Sequence, residues 1–171
     1  MRAMAGPGSR GKVSIDGDRA TLTFVRRLDH PMAAVWRALT DPARRAVWFG
    51  PATIDPRVGG AIAMDPADPP MPAEAKRVTG RILVWDPPYV LEHEWLQGIV
   101  EPGVVRYELA PAPDGGGGTI LTFTHRGLGL RNARGFVPGT HAYLDRLAAH
   151  LDGEPLPAWE ARYAEVQPFY P

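Results

Sequence analysis

The sequence predicts an α+β domain in which one long amphipathic helix near the C-terminus covers the apolar face of an antiparallel sheet. Three observations carry this prediction. Apolar and polar residues alternate in a series of segments between Arg19 and His125, the period of strands with one buried face. Proline and glycine fall at the ends of those segments rather than within them. After Gly127 the apolar period changes from two to nearly four, the mark of a single buried stripe on a helix. At 171 residues the chain is long enough for one domain with a core of its own.

Residues 1–18 are read as a disordered lead-in, because the first dozen are small, basic and rich in glycine and proline, without the apolar run of a secretory signal. The domain proper spans residues 19–153. Its first strand runs from Arg19 to Leu28, with Leu22, Phe24 and Leu28 on one parity. Asp29-His30-Pro31 ends it and opens a short helix whose face is Val35, Trp36 and Leu39. Thr40-Asp41-Pro42 caps a second short helix that ends near Trp48 and Phe49. Ala52–Asp55 and Ile62–Asp65, joined through Gly59-Gly60, form a hairpin. The proline-rich run from Pro66 to Pro72 is a loop.

Val78 to Val84 make a longer strand that Asp86-Pro87-Pro88 terminates, and Val90 to Leu96 return antiparallel to it. Val105, Tyr107 and Leu109 form the next strand, and Asp114 with four glycines turns the chain into Leu121, Phe123 and His125. Val137, Thr140, Leu144, Leu147 and Leu151 then mark a helix of about four turns, with Pro138 placed near its start and Gly153 at its C-terminal cap. Residues 154–171 form a tail bounded by prolines; its Trp159, Tyr163 and Phe169 call for docking, on this domain or on a second copy.

Composition narrows the function. Lys and Arg number 19 against 19 Asp and Glu, so no net positive field favours nucleic acid or an anionic membrane, and neither is expected as a partner. Without cysteine there is no disulfide, thiol nucleophile, iron–sulfur cluster or cysteine zinc site. The chain suits the reducing cytoplasm, and no cofactor or metal is expected. No phosphate-cradling loop, GxSxG elbow or HExxH motif is present.

Several segments, taken in order, carry a resemblance. They are Leu22–Arg27, Val35-Trp36-Arg37-Ala38-Leu39-Thr40-Asp41-Pro42, Trp48-Phe49, Gly59-Gly60, Gly80 with Asp86-Pro87-Pro88, Glu94-Trp95, Leu121–His125 and Tyr143–Leu147. In this order they resemble the START-like SRPBCC superfamily, in particular its branch related to the C-terminal domain of the Hsp90 ATPase activator, over about residues 20–152. The resemblance implies a helix-grip fold: a curved antiparallel sheet of about six to seven strands gripping the last helix around an apolar cavity. It implies binding of small hydrophobic molecules or, in some members, a reaction on them, and it supplies no common catalytic set. In this branch the last helix commonly opens with Gly-Trp, whereas here Gly139 is followed by Thr140. Losing an indole from the stripe facing the sheet predicts a roomier cavity.

His93 and His125 share parity with apolar neighbours and should face the cavity, about 10 Å apart if their strands flank the one containing Val105. Each is a candidate to polarise a ligand, or a satisfied polar residue in a wet cavity. His141 and Asp145, spaced i, i+4, can be an oriented base, a metal half-site or a surface pair. Arg26 falls on the apolar parity of its strand and needs a carboxylate or a ligand anion; parity rules out Glu92 and Glu94 and leaves its partner unassigned. Trp36, Trp48, Phe49, Met64, Trp95, Tyr107 and Phe136 are expected pocket walls, together with Phe24, Ile82, Phe123, Thr140 and Leu144, while Arg44-Arg45, Arg131 and Arg134 are read as solvated rim charges.

The expected function is binding of a small hydrophobic ligand. Alternatives are a cyclase- or hydrolase-like enzyme using His93, His125 or His141 on an aromatic or polyketide-like compound, and, ranked last, a chaperone ATPase co-regulator. A homodimer sealed by the tail is a further expectation.

Overall fold

The structure, a computed structural model, describes residues 9–68 and 70–171. Its strands are β1 (Lys12–Asp16), β2 (Arg19–Leu28), β3 (Ala52–Ile54), β4 (Ala61–Met64), β5 (Val78–Asp86), β6 (Val90–Trp95), β7 (Gly103–Pro111) and β8 (Thr119–Gly129). The helices are α1 (Met32–Thr40), α2 (Pro42–Trp48), α3 (Ala73–Lys76), α4 (Leu130–Asp152) and α5 (Trp159–Val166), followed by a short 3-10 turn over Gln167–Phe169. The strands form one curved antiparallel sheet in the order β1-β2-β8-β7-β6-β5-β4-β3, gripped around α4. Chain neighbours pair through hairpins, and β2 is inserted beside β8, so the first long strand and the last one lie together against α4.

Alternation decides which face is buried. Ala20, Leu22, Phe24 and Leu28 of β2, Val105, Tyr107 and Leu109 of β7, and Leu121 and Phe123 of β8 point inward. Arg106 sits on the outer face, where it donates to Glu92 at 2.9 Å and Glu108 at 2.6 Å. The α1 stripe Val35, Trp36 and Leu39 closes one end of the core. At the start of α2 the Asp41 carboxylate accepts from the Ala43 amide at 3.1 Å, and Pro42 fills the first helical position.

Four features differ from the sequence reading. Eight strands form where six to seven were expected, because residues 12–16 of the presumed disordered lead-in pair along β2 as an edge strand. Residues 1–8 of that lead-in lie outside the described residues. All five residues of β1 are exposed, so it carries no buried alternation by which to recognise it. The last helix has 23 residues rather than about four turns, and Pro138 lies inside it. The helix starts directly from β8 at Leu130, where the Glu101 carboxylate accepts from the Gly129 amide at 2.7 Å and from the Asn132 side chain at 3.1 Å. An acidic group at that end also suits the helix dipole. At the other end Gly153 adopts φ 67°, the left-handed cap that favours glycine.

The fourth difference is Arg45, which is fully buried rather than a rim charge. It donates to the Leu39 carbonyl at 2.9 Å and the Tyr107 hydroxyl at 3.3 Å, and it lies over the rings of Trp48 and Phe49 at 5.2 and 4.8 Å. Three aromatic faces surround it where a carboxylate would be usual. The signal available was its spacing of three from Trp48 on the same helix face.

Candidate functional site

A cavity of about 530 Å³ lies between the sheet and α4. The sheet contributes Trp95, Tyr107, Phe123 and His125 from adjacent strands, and the end of α2 contributes Trp48 and Phe49. The α4 wall is a helical stripe of Asn132, Gly135, Phe136, Gly139, Thr140, Tyr143 and Leu144. The loop after β4 (Pro66, Asp68, Pro70, Met71) and Lys76 line another side, and α5 supplies Trp159, Glu160 and Tyr163. The volume falls within the range of ordinary small-molecule sites, and most of the wall is aromatic.

Gly139 is where α5 comes closest to α4, whereas at Gly135 the approach leaves room for a side chain to begin. A side chain at Gly139 would begin 3.3 Å from the Trp159 ring, and one at Gly135 would begin 3.8 Å from the Tyr163 hydroxyl. The Trp159 indole donates to the Gly139 carbonyl at 3.1 Å and packs between Tyr143 and Tyr163. Thr140 and the Trp159 ring both line the cavity. Tyr143 donates to the Asp68 carbonyl and so holds the loop after β4 against α4.

The tail is fastened by charge as well as by rings. Asp145 accepts from Arg26 of β2 at 2.8 Å and from Arg162 of α5 at 2.6 Å, which identifies the partner of Arg26 as a carboxylate on the helix. Next to it His141 is completely buried. The Gly11 amide donates to the Tyr170 hydroxyl at 2.8 Å, leaving the phenol proton for Nδ1 of His141 at 2.7 Å. Nε2 of His141 is then left 3.5 Å from Asp145, too far for a hydrogen bond. Burial pushes the His141 pKa down to about 4, with Asp145 opposing and Arg26 and Arg162 assisting. Arg146 adds three carbonyl contacts, to Val47, Trp48 and Pro157, joining α2 and the approach to α5.

Of the residues proposed from sequence, the structure brings Trp48, Phe49, Trp95, Tyr107, Phe123, His125, Phe136, Thr140 and Leu144 to the cavity wall. Seven others lie elsewhere. Phe24 packs on Phe123 and His141, Trp36 stacks edge-on against Trp85, and Met64 and Ile82 are core residues beyond the wall. Arg26 and His141 belong to the Asp145 cluster. His93 is buried behind Tyr107 and Trp95, with Nδ1 bonded to the Glu94 carbonyl at 2.8 Å.

His93 and His125 occupy the same row of the sheet, each paired in register with Val105 of the strand between them. Burial holds both rings neutral, with the pKa of His93 pushed down to about 4 and that of His125 to about 3. Neither ring touches a carboxylate that would orient it or stabilise its protonated form. The arrangement offers an apolar molecule an aromatic wall with a few polar side chains at its edge.

Comparison with known proteins agrees with this architecture. A family model described as "Activator of Hsp90 ATPase homolog 1-like protein" matches residues 29–152. No curated protein matches. Among solved structures, CalU16 from Micromonospora echinospora superposes with a TM-score of 0.71 at 23% identity, covering 94% of this chain and 92% of that one. A protein encoded by BPP1335 of Bordetella parapertussis gives 0.69 at 25% identity over 98% and 94%. A conserved protein of unknown function from Enterococcus faecalis gives 0.68 at 16% identity over 94% and 92%. No helix is long and apolar enough to cross a membrane among the described residues.

Proposed function

The chain belongs to the activator of Hsp90 ATPase homolog 1-like family, and on that premise we propose that it binds a small hydrophobic molecule in the cavity between the sheet and α4. One observation carries the reading: the 530 Å³ cavity persists although an aromatic helix from the tail packs across it. The cavity is about half open to solvent and walled mostly by aromatic side chains, the form of a ligand site with a route of entry. Binding ranks ahead of catalysis because the cavity's histidine is held neutral and has no carboxylate to drive proton transfer. It ranks ahead of a chaperone co-regulator because the cavity supports an occupant directly. We also propose a cytoplasmic setting and self-association of the chain, as expected from the sequence.

Native mass spectrometry of the purified chain against its denatured mass tests the reading, with thermal shift across a panel of hydrophobic metabolites. A reproducible mass excess, or a ligand that raises the midpoint in proportion to its concentration, is the expected result. No excess and no shift across the panel would overturn it.

A further inference from the structure

The sheet ends on two edges, β3 and β1, and they are unlike. β3 is three residues long and stands between Pro51 and Pro56, the blunted form that edges commonly take. β1 has five residues, no proline and no bulge, and all five are exposed. Gly17 and Asp18 make the two-residue turn into β2, with Gly17 at φ 62°, and the turn closes on the Asp16–Arg19 pair. A closing pair of this kind exchanges both main-chain hydrogen bonds. Asp16, Ser14 and Lys12 therefore bond to β2, and the amides and carbonyls of Val13 and Ile15 face outward.

The side chains add to this. Val13 and Ile15 are in register with the buried Leu22 and Ala20 and so lie on the concave face, yet they are 43% and 65% exposed. Ile15 is the most exposed large apolar residue among those described. On the convex face Lys12 and Asp16 make no ion pair among the described residues, since Arg19, opposite Asp16, turns to Asp18 at 3.2 Å. The C-terminal segment is engaged within its own domain through Trp159, Arg162 and Tyr170 and leaves this edge uncovered.

The order of residues selects the occupant. Lys12-Val13-Ser14-Ile15-Asp16 is complementary to itself when run antiparallel about Ser14. We propose that β1 is the docking strand for a second copy of this chain, joined edge to edge about a two-fold axis at Ser14, so that the two sheets become one with both α4 helices on the same face. This rests on the self-association proposed above and names its surface. Each Val13 then exchanges both main-chain hydrogen bonds with Ile15 of the second copy, and their side chains cover one another on the concave face. Lys12 meets Asp16 of the second copy at a position without main-chain bonds, where opposed side chains stand closest. Slipping the pairing by two residues keeps the faces but loses both charge matches, so charge fixes the register.

Sedimentation equilibrium of the full chain up to about 0.5 mM tests this, because so small an interface gives a weak dimer. The mass should rise with concentration toward twice that of the chain. Lys12→Asp opposes carboxylates at both ends of the joined strands, and Asp16→Lys opposes ammonium groups. Each variant alone should associate about tenfold or more weakly, while an equal mixture of the two should associate about as well as the unsubstituted protein, since every opposed pair then has opposite signs. Ile15→Pro removes an outward N–H and leaves the bonds to β2 in place, so it should keep its circular dichroism and stay monomeric. Should that variant fail to fold, the charge variants and their mixture decide. A monomer at every concentration would overturn self-association and this surface with it. A dimer that the charge variants do not weaken, that their mixture does not restore, or that a folded Ile15→Pro retains would overturn the β1 edge and leave self-association to another surface.

Discussion

Asp145→Asn removes one charge and almost no volume, so its effect isolates the electrostatics of the cluster that joins β2, α4 and α5. The carboxylate is shared by Arg26 at 2.8 Å and Arg162 at 2.6 Å, whose side chains are 9% and 5% exposed. Breaking a buried pair from one side leaves an uncompensated charge and costs about 3–5 kcal/mol. Arg162 retains Glu165 at 3.6 Å and Arg26 retains the Ser9 carbonyl at 3.0 Å, which places the expected loss near the lower end, about 3 kcal/mol. For a chain of this size that is a fall in midpoint of about 6–12 °C. Urea unfolding followed by circular dichroism and tryptophan fluorescence reads the loss, with an unchanged m-value. Asp18→Asn is the control: its pair with Arg19 at 3.2 Å is exposed on both sides and should cost less than about 1 kcal/mol. A loss at Asp145 no larger than the control would refute the view that this cluster fastens the tail.

Other outcomes follow from the same structure. Stability should fall on mild acidification: His93, His125 and His141 have folded pKa values near 4, 3 and 4 against 6.5 for the free side chain, so the unfolded chain takes up protons first. Their contribution is complete above about pH 6.5 and is lost as pH falls toward 4, at up to about 1.4 kcal/mol per pH unit for each ring. Urea midpoints at pH 7.5, 6 and 5 read this, and a flat profile would refute neutral burial. Thr140→Trp should fill the cavity, abolishing ligand-induced thermal shift with little change in the midpoint of the empty protein; a retained shift would show that ligands bind elsewhere. Arg45→Met should change stability by no more than about 1 kcal/mol, since relief of an unpaired buried cation offsets the lost bonds to Leu39 and Tyr107; a loss above about 3 kcal/mol would show that the aromatic cage compensates the charge fully.

Much of the sheet was legible because one face is buried. Parity alone put His93 and His125 on the inner face and Glu92 on the other, and the register through Val105 follows from hairpin order. Features without a two- or four-residue apolar period escaped. Strand β1 is exposed throughout, and Arg45 is indistinguishable in type from Arg44 beside it, which is exposed. Asn132, Gly135 and Gly139 of the cavity-facing stripe of α4 present no apolar side chain, so hydrophobic periodicity does not report them and reports instead the adjacent Ala133, Val137 and Leu147. A usable signal was Gly139, in a helix interior where glycine is unfavourable by about 1 kcal/mol relative to alanine and where a side chain would crowd the Trp159 ring. Arg26 and Asp145 are 119 residues apart and meet only through the fold.

Part of the cavity wall is a terminal segment joined to the body through Glu154, Pro155, Leu156 and Pro157, and this separates rates from equilibrium. Trp159 and Tyr163 contribute wall surface, while Arg162 and Tyr170 hold the segment down without lining the cavity. On the proposed ligand-binding reading, with exchange passing under α5, loosening those two fastenings lowers the barrier in both directions and leaves the contacts of the occupied state in place. Entry and exit would then accelerate together at nearly constant Kd, so that residence time would be set from α5 and the final turn, apart from the residues of the cavity wall.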